Sequence, residues 1–460
     1  MAKMDLEPMM KPKSVAIIGA SRDPDKVGHV ILQNYINSGY PGRIFVVNKN
    51  ADNVMGFKSY ASIMDIKEKV DLAVIAIPAP YVPEALEECG KAKAKTAVVI
   101  SGGFAEVGNK ALQDELVKIA GKYKIPTMGP NCLGIMDPRS RVDTLFLPTY
   151  KLSRPQIGGV SFVSQSGAVG SAILDMISSE GFGLSKFISY GNAAHIDEVD
   201  ILNYLIDDKE TKVIVMYLEG IKRGKEFLEI ARSATKAKPI IVLKAGRTSA
   251  GMQAAHSHTA SLAGSYETNM ALFTQFGFTI ADDLNDLLYY AKAFESEPEP
   301  KGNRVAVITN GGGIGVIATD EVAASGNLKM AEFSQQTVDA LKKTMPMLVN
   351  VRNPLDLAGD ADGKRYEDAI SAVMQDPDID MIIVVTLFQT PGADSSVAAK
   401  LIHYKERSDK PMIGIAMGSE YTQVHKLMME SSGFPVYDSP AAAVKSLSEL
   451  LKYKEYKGSH

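Results

Sequence analysis

Short runs of β-branched and aliphatic residues recur along the chain, and each is followed by a stretch with helical spacing of its apolar positions. Residues 14–18 (SVAII), 160–163 (VSFV) and 305–308 (VAVI) are three such runs. Near-continuous apolar runs of this length are typical of strands buried on both faces. Their alternation with helices therefore predicts an α/β fold built on parallel sheets.

Two segments interrupt this alternation. Residues 137–159 contain three prolines and a Gly-Gly pair and show no clear period, and residues 295–302 (ESEPEPKG) are acidic and rich in proline. Such segments are typical of linkers. They predict three domains, at 1–140, 141–296 and 302–460.

The second and third domains resemble two copies of one unit. Residues 160–170 read VSFVSQSGAVG and residues 305–315 read VAVITNGGGIG, at an offset of 145. Further on, KPIIVLKAG (from Lys238) parallels KPMIGIAMG (from Lys410). Similar segments in the same order favour a duplicated unit over chance likeness between strand–glycine–helix junctions.

Composition narrows the function classes. The 460-residue chain has a formal charge of −4, so no basic surplus indicates nucleic acid or an anionic membrane as a partner. Its two cysteines exclude a disulfide framework and a cysteine-rich zinc site. No apolar run reaches the ~18 residues that span a bilayer. We expect a soluble, cytoplasmic protein.

In the first domain, small-residue loops follow successive strands. Gly19 and Gly28 flank the loop after the first strand, and IPAPY (77–81), SGGF (101–104) and GPNCLG (129–134) follow later ones. The carboxyl ends of parallel strands share one edge of a sheet, so these loops predict a ligand crevice. The second strand ends in Lys49 instead of an acidic residue. Lysine there suits a phosphorylated ribose, as in NADP or coenzyme A, unless it is merely exposed on a Rossmann-like domain.

Two further glycine loops enter helices, at 163–170 (VSQSGAVG) and 309–315 (TNGGGIG). Bare N–H groups and the helix dipole make each a candidate phosphate site. The predicted contacts are Ser164, Gln165, Ser166 and Gly167 in one loop and Gly311, Gly312 and Gly313 in the other. The alternative is that tight turns between strand and helix need glycine in any case. Neither loop matches the P-loop pattern for ATP.

The segment 246–264 (GRTSAGMQAAHSHTASLAG) is rich in small residues and contains His256 and His258. Residues of this kind make a poor core and suit an exposed loop. The histidines could be a phosphoryl-accepting nucleophile, half of a metal site, or ordinary loop residues. Glu219 ends the strand 213–218 and could orient an imidazole there, unless it is only a solvated glutamate.

Taken together, these motifs resemble the α subunit of ADP-forming acetyl-CoA synthetases, in the superfamily of succinyl-CoA synthetase. SHTASLAG is similar to the family's phosphohistidine loop SHTGSLAG, with Ala260 where glycine is usual. IPAPY and GPNC resemble the family's coenzyme A contacts. The resemblance implies a Rossmann-like CoA-binding domain followed by two flavodoxin-like domains. It implies CoA contacts at these positions: Gly19, Ser21, Lys49, Pro78, Pro80, Asn131 and Cys132.

The resemblance also implies a reaction. Acetyl-CoA, ADP and phosphate would give acetate, CoA and ATP through acetyl phosphate, with His258 as the phosphoryl carrier and Glu219 orienting it. The nucleotide and its Mg²⁺ would bind a separate β subunit with an ATP-grasp module, in an α2β2 assembly, and no metal site is predicted on this chain. The rival functions are a CoA-binding regulatory or scaffold protein and an NADP-dependent oxidoreductase.

Overall fold

The computed structural model describes residues 3–251, 253 and 266–459. It divides the chain into two compact units. The first comprises Met1–Ser179 and Gly183–Ala281, and the second comprises Glu180–Phe182 and Asp282–His460. Two sheets lie in the first unit and one in the second. The three domain boundaries expected from the linkers stay a prediction.

The first sheet has the strand order β3-β4-β2-β1-β5-β6-β7 and is parallel except for the β3–β4 hairpin. This order, with the first strand central, is that of doubly wound nucleotide-binding folds. Its strands are β1 (Ser14–Ile18), β2 (Arg43–Val47), β3 (Asn53–Val54), β4 (Phe57–Tyr60), β5 (Leu72–Ile75), β6 (Thr96–Val99) and β7 (Thr127–Met128). Its helices are α1 (Glu7–Met10), α2 (Val27–Asn37), α3 (Val82–Lys91) and α4 (Lys110–Tyr123), with 3₁₀ turns at Ile63–Asp65, Ala79–Tyr81 and Ala105–Val107.

The second sheet has the order β14-β13-β12-β10-β11-β8-β9, in which β8 and β9 are antiparallel additions at one edge. Its strands are β8 (Gly134–Asp137), β9 (Val142–Asp143), β10 (Gln156–Ser164), β11 (Gly183–Ser189), β12 (Val213–Leu218), β13 (Ile240–Lys244) and β14 (Thr279–Ile280). The helices described around it are α5 (Gly167–Glu180), α6 (Glu198–Asp207), α7 (Gly224–Ala237) and α8 (Tyr266–Gln275).

The third sheet has the order β16-β15-β18-β19-β20, with β17 also paired to β15. Its strands are β15 (Arg304–Thr309), β16 (Lys329–Met330), β17 (Leu355–Asp356), β18 (Met381–Val385), β19 (Met412–Ile415) and β20 (Val436–Tyr437). The second unit contains helices α9 (Leu284–Ser296), α10 (Gly312–Ala324), α11 (Gln335–Thr344), α12 (Gly363–Met374), α13 (Ser395–Lys405), α14 (Glu420–Glu430) and α15 (Pro440–Ser459).

The parallel parts of the second and third sheets share one topology. Read from the far edge, β14-β13-β12-β10-β11 corresponds strand by strand to β20-β19-β18-β15-β16. Most residues of these strands are buried, as their apolar runs predict. The α/β fold class, with a Rossmann-like domain followed by two similar parallel sheets, is therefore confirmed. No helix among residues 3–251 and 266–459 is long and apolar enough to cross a membrane.

Candidate active site

A cavity of about 990 Å³ lies in the first unit, at the carboxyl ends of strands from both sheets. One wall comes from the first sheet, through the loops after β1, β2, β5 and β6. The other wall comes from the second sheet, through the loop after β10 and the first turns of α5. The predicted crevice at the edge of the first sheet is thus one side of a larger site.

Two glycines let helix α2 approach the end of β1 closely. Gly19 has φ +95°, and a Cβ built there would lie 2.3 Å from the Ala76 carbonyl oxygen. A Cβ on Gly28 would lie 2.0 Å from the carbonyl oxygen of Gly19. Because neither position can hold a side chain, the first turn of α2 presents its free N–H groups beside the strand end. Such a helix start favours an anionic group.

The structure separates the predicted CoA contacts into two groups. Gly19, Ser21, Pro78, Asn131 and Cys132 line the cavity. Lys49 and Pro80 are exposed and do not line it.

The cation that does line the cavity is Lys26, immediately before α2. Sequence reasoning passed over this residue because RDPDK lies in a polar loop with no distinguishing pattern. Asn48 and Asn50, on either side of Lys49, also line the cavity. Their backbone is fixed by Asn48, whose side chain donates to the Ala20 carbonyl at 2.7 Å and accepts from Asn50 N at 2.8 Å.

Asn131 and Cys132 form the floor between the two sheets. Asn131 has a left-handed backbone (φ 58°), and its side-chain amide donates to Asn192 Oδ1 at 3.2 Å. Cys132 is buried, and its thiol donates to the Val99 carbonyl at 3.3 Å. Burial raises the pKa of this thiol to about 12. Cys132 is therefore a neutral wall residue near pH 7 and not a thiolate nucleophile.

In the loop after β10, Gln165, Ser166 and Gly167 line the cavity, whereas Ser164 is buried beneath it. Both serine hydroxyls hold the loop's own backbone. Ser164 Oγ donates to the Ser166 carbonyl at 2.7 Å, and Ser166 Oγ accepts from Val169 N at 3.3 Å. The loop is thus fixed with the start of α5 directed at the cavity, which is the geometry of an anion site.

Gln165 also connects this loop to Glu219. Its Oε1 accepts the backbone N–H groups of Glu219 and Gly220, the latter at 2.9 Å, and its Nε2 donates to the Gly220 carbonyl at 3.0 Å. Glu219 itself is buried, with 7% of its surface exposed. The glutamate predicted from its position at a strand end is therefore neither solvated nor loosely placed.

A lysine that the sequence analysis did not single out lies beside Glu219. Lys244, at the end of β13, is buried and donates to the carbonyls of Glu219 at 2.8 Å and Ala245 at 2.6 Å. Burial lowers the pKa of Lys244, and the charge of Glu219 acts against this. Burial, followed by the Glu219 charge, raises the pKa of Tyr217 to about 12. The carboxylate thus has a cation and a protonated phenol as neighbours.

The segment 246–264 leaves the sheet at this point. Ala245 N donates to the Leu218 carbonyl at 2.9 Å, so the chain begins the segment beside the residue that precedes Glu219. His256 and His258 lie outside the described residues, and their roles stay predictions. Within the described residues, no group of three or more His, Cys, Asp or Glu could hold a metal ion.

The second predicted phosphate loop belongs to the other unit. Gly311 precedes α10, and Gly312 and Gly313 are its first residues. A Cβ on Gly312 would lie 2.6 Å from Asp356 Oδ2, so a carboxylate lies beside this helix start. Because this carboxylate is already close to the N–H groups, a phosphate would meet repulsion here that it would not meet at Gly167.

Family models match three successive parts of the chain. A CoA binding domain matches residues 13–138, a succinyl-CoA ligase like flavodoxin domain matches residues 157–294, and a ligase-CoA domain matches residues 305–426. The first two models cover the two walls of the cavity.

Relatives match over nearly the whole chain. The alpha subunit of acetate–CoA ligase [ADP-forming] II from Pyrococcus furiosus is 39% identical, over 97% of this chain and 98% of its own. The acetate–CoA ligase [ADP-forming] of Methanocaldococcus jannaschii is 40% identical over 98% of this chain but only 63% of its own length. A solved structure of the dinucleotide-forming acetyl-coenzyme A synthetase 1 of Candidatus Korarchaeum cryptofilum, in complex with phosphate and ADP, has a TM-score of 0.92. It is 36% identical over 99% of this chain and 98% of its own.

Proposed function

The chain belongs to the family of ADP-forming acetate–CoA ligase alpha subunits, and we propose from that premise that it binds the acyl-CoA and carries the phosphoryl group. The observation that carries this proposal is the cavity itself. It places a CoA-binding-type sheet opposite a glycine loop that is linked through Gln165 to a buried glutamate.

The cavity supports a defined orientation for coenzyme A. Its phosphates would lie near Lys26 and the start of α2, because these supply positive charge. The pantetheine arm would pass the loops at Pro78, Ser101 and Asn131, which leaves the thioester near Ser166 and Gly167. Lys26→Ala should therefore weaken CoA binding about tenfold, the size of one charge-assisted contact. Lys49→Ala, which removes a lysine that does not line the cavity, should weaken it less, as measured by calorimetry.

The proposed reaction has three displacements. A phosphate oxygen attacks the thioester carbon, the C–S bond breaks, and the CoA thiolate leaves and takes up a proton. A nitrogen of His258 then attacks phosphorus, and the P–O bond to the acyl group breaks to release the carboxylate. Finally an oxygen of ADP takes the phosphoryl group from His258. Most of the catalytic effect comes from positioning and charge stabilisation, which Gly167 and Glu219 would supply.

The last displacement requires a partner. We propose a β subunit that supplies an ATP-grasp nucleotide site with Mg²⁺, in an α2β2 assembly. The named alpha subunits among the relatives, and a single-chain relative that extends well beyond this chain, support a partner. Acetate is the proposed acid, as the relatives' names indicate.

The experiment that tests this function is labelling of the assembled enzyme with γ-labelled ATP and magnesium. We expect an acid-labile, base-stable label on this chain. His258→Ala should lose both this label and overall turnover. His256→Ala is the matched control, two residues away, and should retain both. Turnover by His258→Ala without any label would remove the phosphohistidine mechanism. ATP formation by the purified chain alone would contradict the separate nucleotide subunit.

A further inference from the structure

The end of the cavity next to the glycine loop has apolar walls. Leu133 and Ala168 line it there, alongside Ser166 and Gly167, and Phe146 and Leu147 line the same cavity. A Cβ on Gly167 would lie 3.5 Å from Leu133 Cβ, so this wall is in contact with the loop that faces the thioester. An acyl group on that thioester would therefore meet these side chains.

Phe146 reaches this wall through the antiparallel edge of the second sheet. In the β8–β9 ladder Met136 pairs with Asp143, and Thr144 N continues the ladder with a 2.9 Å bond to the Ile135 carbonyl. The regular ladder ends at this point, because Ile135 N donates to Thr144 Oγ1 at 2.7 Å, and Phe146 follows two residues later. The segment after the strand pair added to the duplicated fold thus contributes Phe146 to the cavity wall.

The backbone around Phe146 is fixed on both sides. Asn34, buried on α2, donates to the carbonyls of Leu145 at 2.7 Å and Leu147 at 3.1 Å. Arg154 donates to the Leu147 carbonyl at 2.8 Å and to Asp143 Oδ2 at 2.7 Å. The fixed backbone limits how far the Phe146 ring can move to admit a larger substrate, so its position sets the length of the space.

The charge of the cavity also limits the acyl group. Among the described residues that line it, Lys26 is the single charged side chain, and it lies beside α2 at the Gly19 end. The acyl end offers no cation from these residues to a second carboxylate. A buried, unpaired carboxylate is costly, so a dicarboxylic acyl group is disfavoured.

We propose that Phe146 is the specificity-determining residue that closes the acyl subsite and selects short acyl groups over branched or aromatic ones, while the uncharged walls disfavour dicarboxylic ones. This proposal rests on the proposed function, because it assumes that the thioester lies at Gly167. An extra methylene group that a wall cannot accept is worth about 10- to 200-fold in discrimination.

The test measures dissociation constants of the full chain for free CoA and for acetyl-, isobutyryl-, phenylacetyl- and succinyl-CoA by calorimetry. Phe146→Ala should lower the phenylacetyl-to-acetyl ratio of dissociation constants at least about tenfold. Phe146→Trp should raise the isobutyryl-to-acetyl ratio. Free CoA should bind all variants alike, and succinyl-CoA should stay weak in each. Tyr150→Ala, on the same segment but 81% exposed, is the matched control and should change no ratio.

An unchanged phenylacetyl-to-acetyl ratio in Phe146→Ala would overturn the proposal, and so would an equal loss of affinity for every ligand including free CoA. If Phe146→Ala fails to fold, Phe146→Leu replaces it, with a smaller decrease expected in the isobutyryl-to-acetyl ratio. If the wild-type chain binds CoA but the variants show no change in any ratio of dissociation constants, this inference alone is contradicted. A wild-type chain that binds no form of CoA contradicts the proposed function and removes its basis.

Discussion

The second and third domains share the same strand–helix turn but carry different side chains beside it. Gln165 and Asn310 occupy matching positions, and each accepts a backbone N–H from the loop after the neighbouring strand. Ser164 pairs with Tyr217 in one sheet as Thr309 pairs with Val385 in the other. Two residues further on, the first loop has Glu219 and the second has Leu387.

The next strand shows the same difference. Leu243 pairs with Tyr217, and Ile415 pairs with Val385, so Lys244 corresponds to Ala416. The third domain therefore lacks both the carboxylate and the buried cation that flank the second domain's loop, and it has Asp356 beside its helix start. A duplicated scaffold thus keeps the loop geometry, whereas the side chains beside the loop differ between the two copies.

The largest expected effect comes from the carboxylate. Glu219→Gln should slow phosphorylation of the chain by roughly 10²–10⁴, the usual cost of losing a group that handles or orients a proton. CoA affinity should not change, because Glu219 does not line the cavity. Rapid-quench labelling measures this rate. Leu387→Gln makes the matching change in the third domain, and an equal slowing there would break the comparison.

A second difference lies on the helix before each central strand. Glu198 begins α6, whereas Gly363 begins α12 and has no room for a side chain because a Cβ would lie 2.6 Å from Ser396 Oγ. Glu198 is fully buried. Its Oε1 accepts from Lys222 N at 2.8 Å, and its Oε2 has no hydrogen-bond partner in the structure. Burial, followed by the charge of Asp197, raises the pKa of Glu198 to about 7.

This raised pKa makes the stability of the second domain depend on pH. The folded state holds the proton more tightly than the unfolded state, so the stabilisation is full below pH ~4.5 and is lost as pH rises to about 7. Glu198→Gln keeps a neutral group at every pH. As pH rises from 5 to 8, the free energy of unfolding of Glu198→Gln should therefore increase by about 2–3 kcal/mol relative to that of the wild type. Urea unfolding at each pH measures this, and Glu229→Gln, which changes an exposed glutamate, is the control. Parallel pH profiles of the unfolding free energy for Glu198→Gln and the wild type would contradict the prediction.

The smallest effect separates the two matched amides. Asn310→Ala should cost the third domain roughly 1–3 kcal/mol, because the backbone N–H of Leu387 loses its side-chain acceptor. It should not change the labelling rate. Gln165→Ala should cost a similar amount and should also slow labelling about tenfold, since it releases the turn that carries Glu219. Denaturation and labelling on both variants provide the measurement. Equal labelling rates would show that the Gln165 bonds are only structural.

Much of the fold could be predicted from the chain alone. Apolar runs such as those at β1, β10 and β15 identify buried parallel strands, because such strands have no polar face. The offset of 145 identifies the duplication because similar segments recur in the same order in both copies. Glu219 was predicted correctly to end a strand, since position relative to the strand is a local property. The role of the segment 246–264 stays a prediction, because most of it lies outside the described residues.

Only the tertiary structure decided which residues share the site. Lys49 stood out in the sequence because it follows a strand, but Lys26 is the lysine that lines the cavity, where helix α2 packs against Gly19. Gln165, predicted as a phosphate contact, also holds the Glu219 turn, 54 residues away in the chain. The sequence did not single out Lys244 or Phe146, because their roles depend on neighbours from distant parts of the chain. Local pattern fixes the period and burial of each element, whereas the pairing of distant strand ends depends on how the sheets pack, and no short stretch of sequence encodes that.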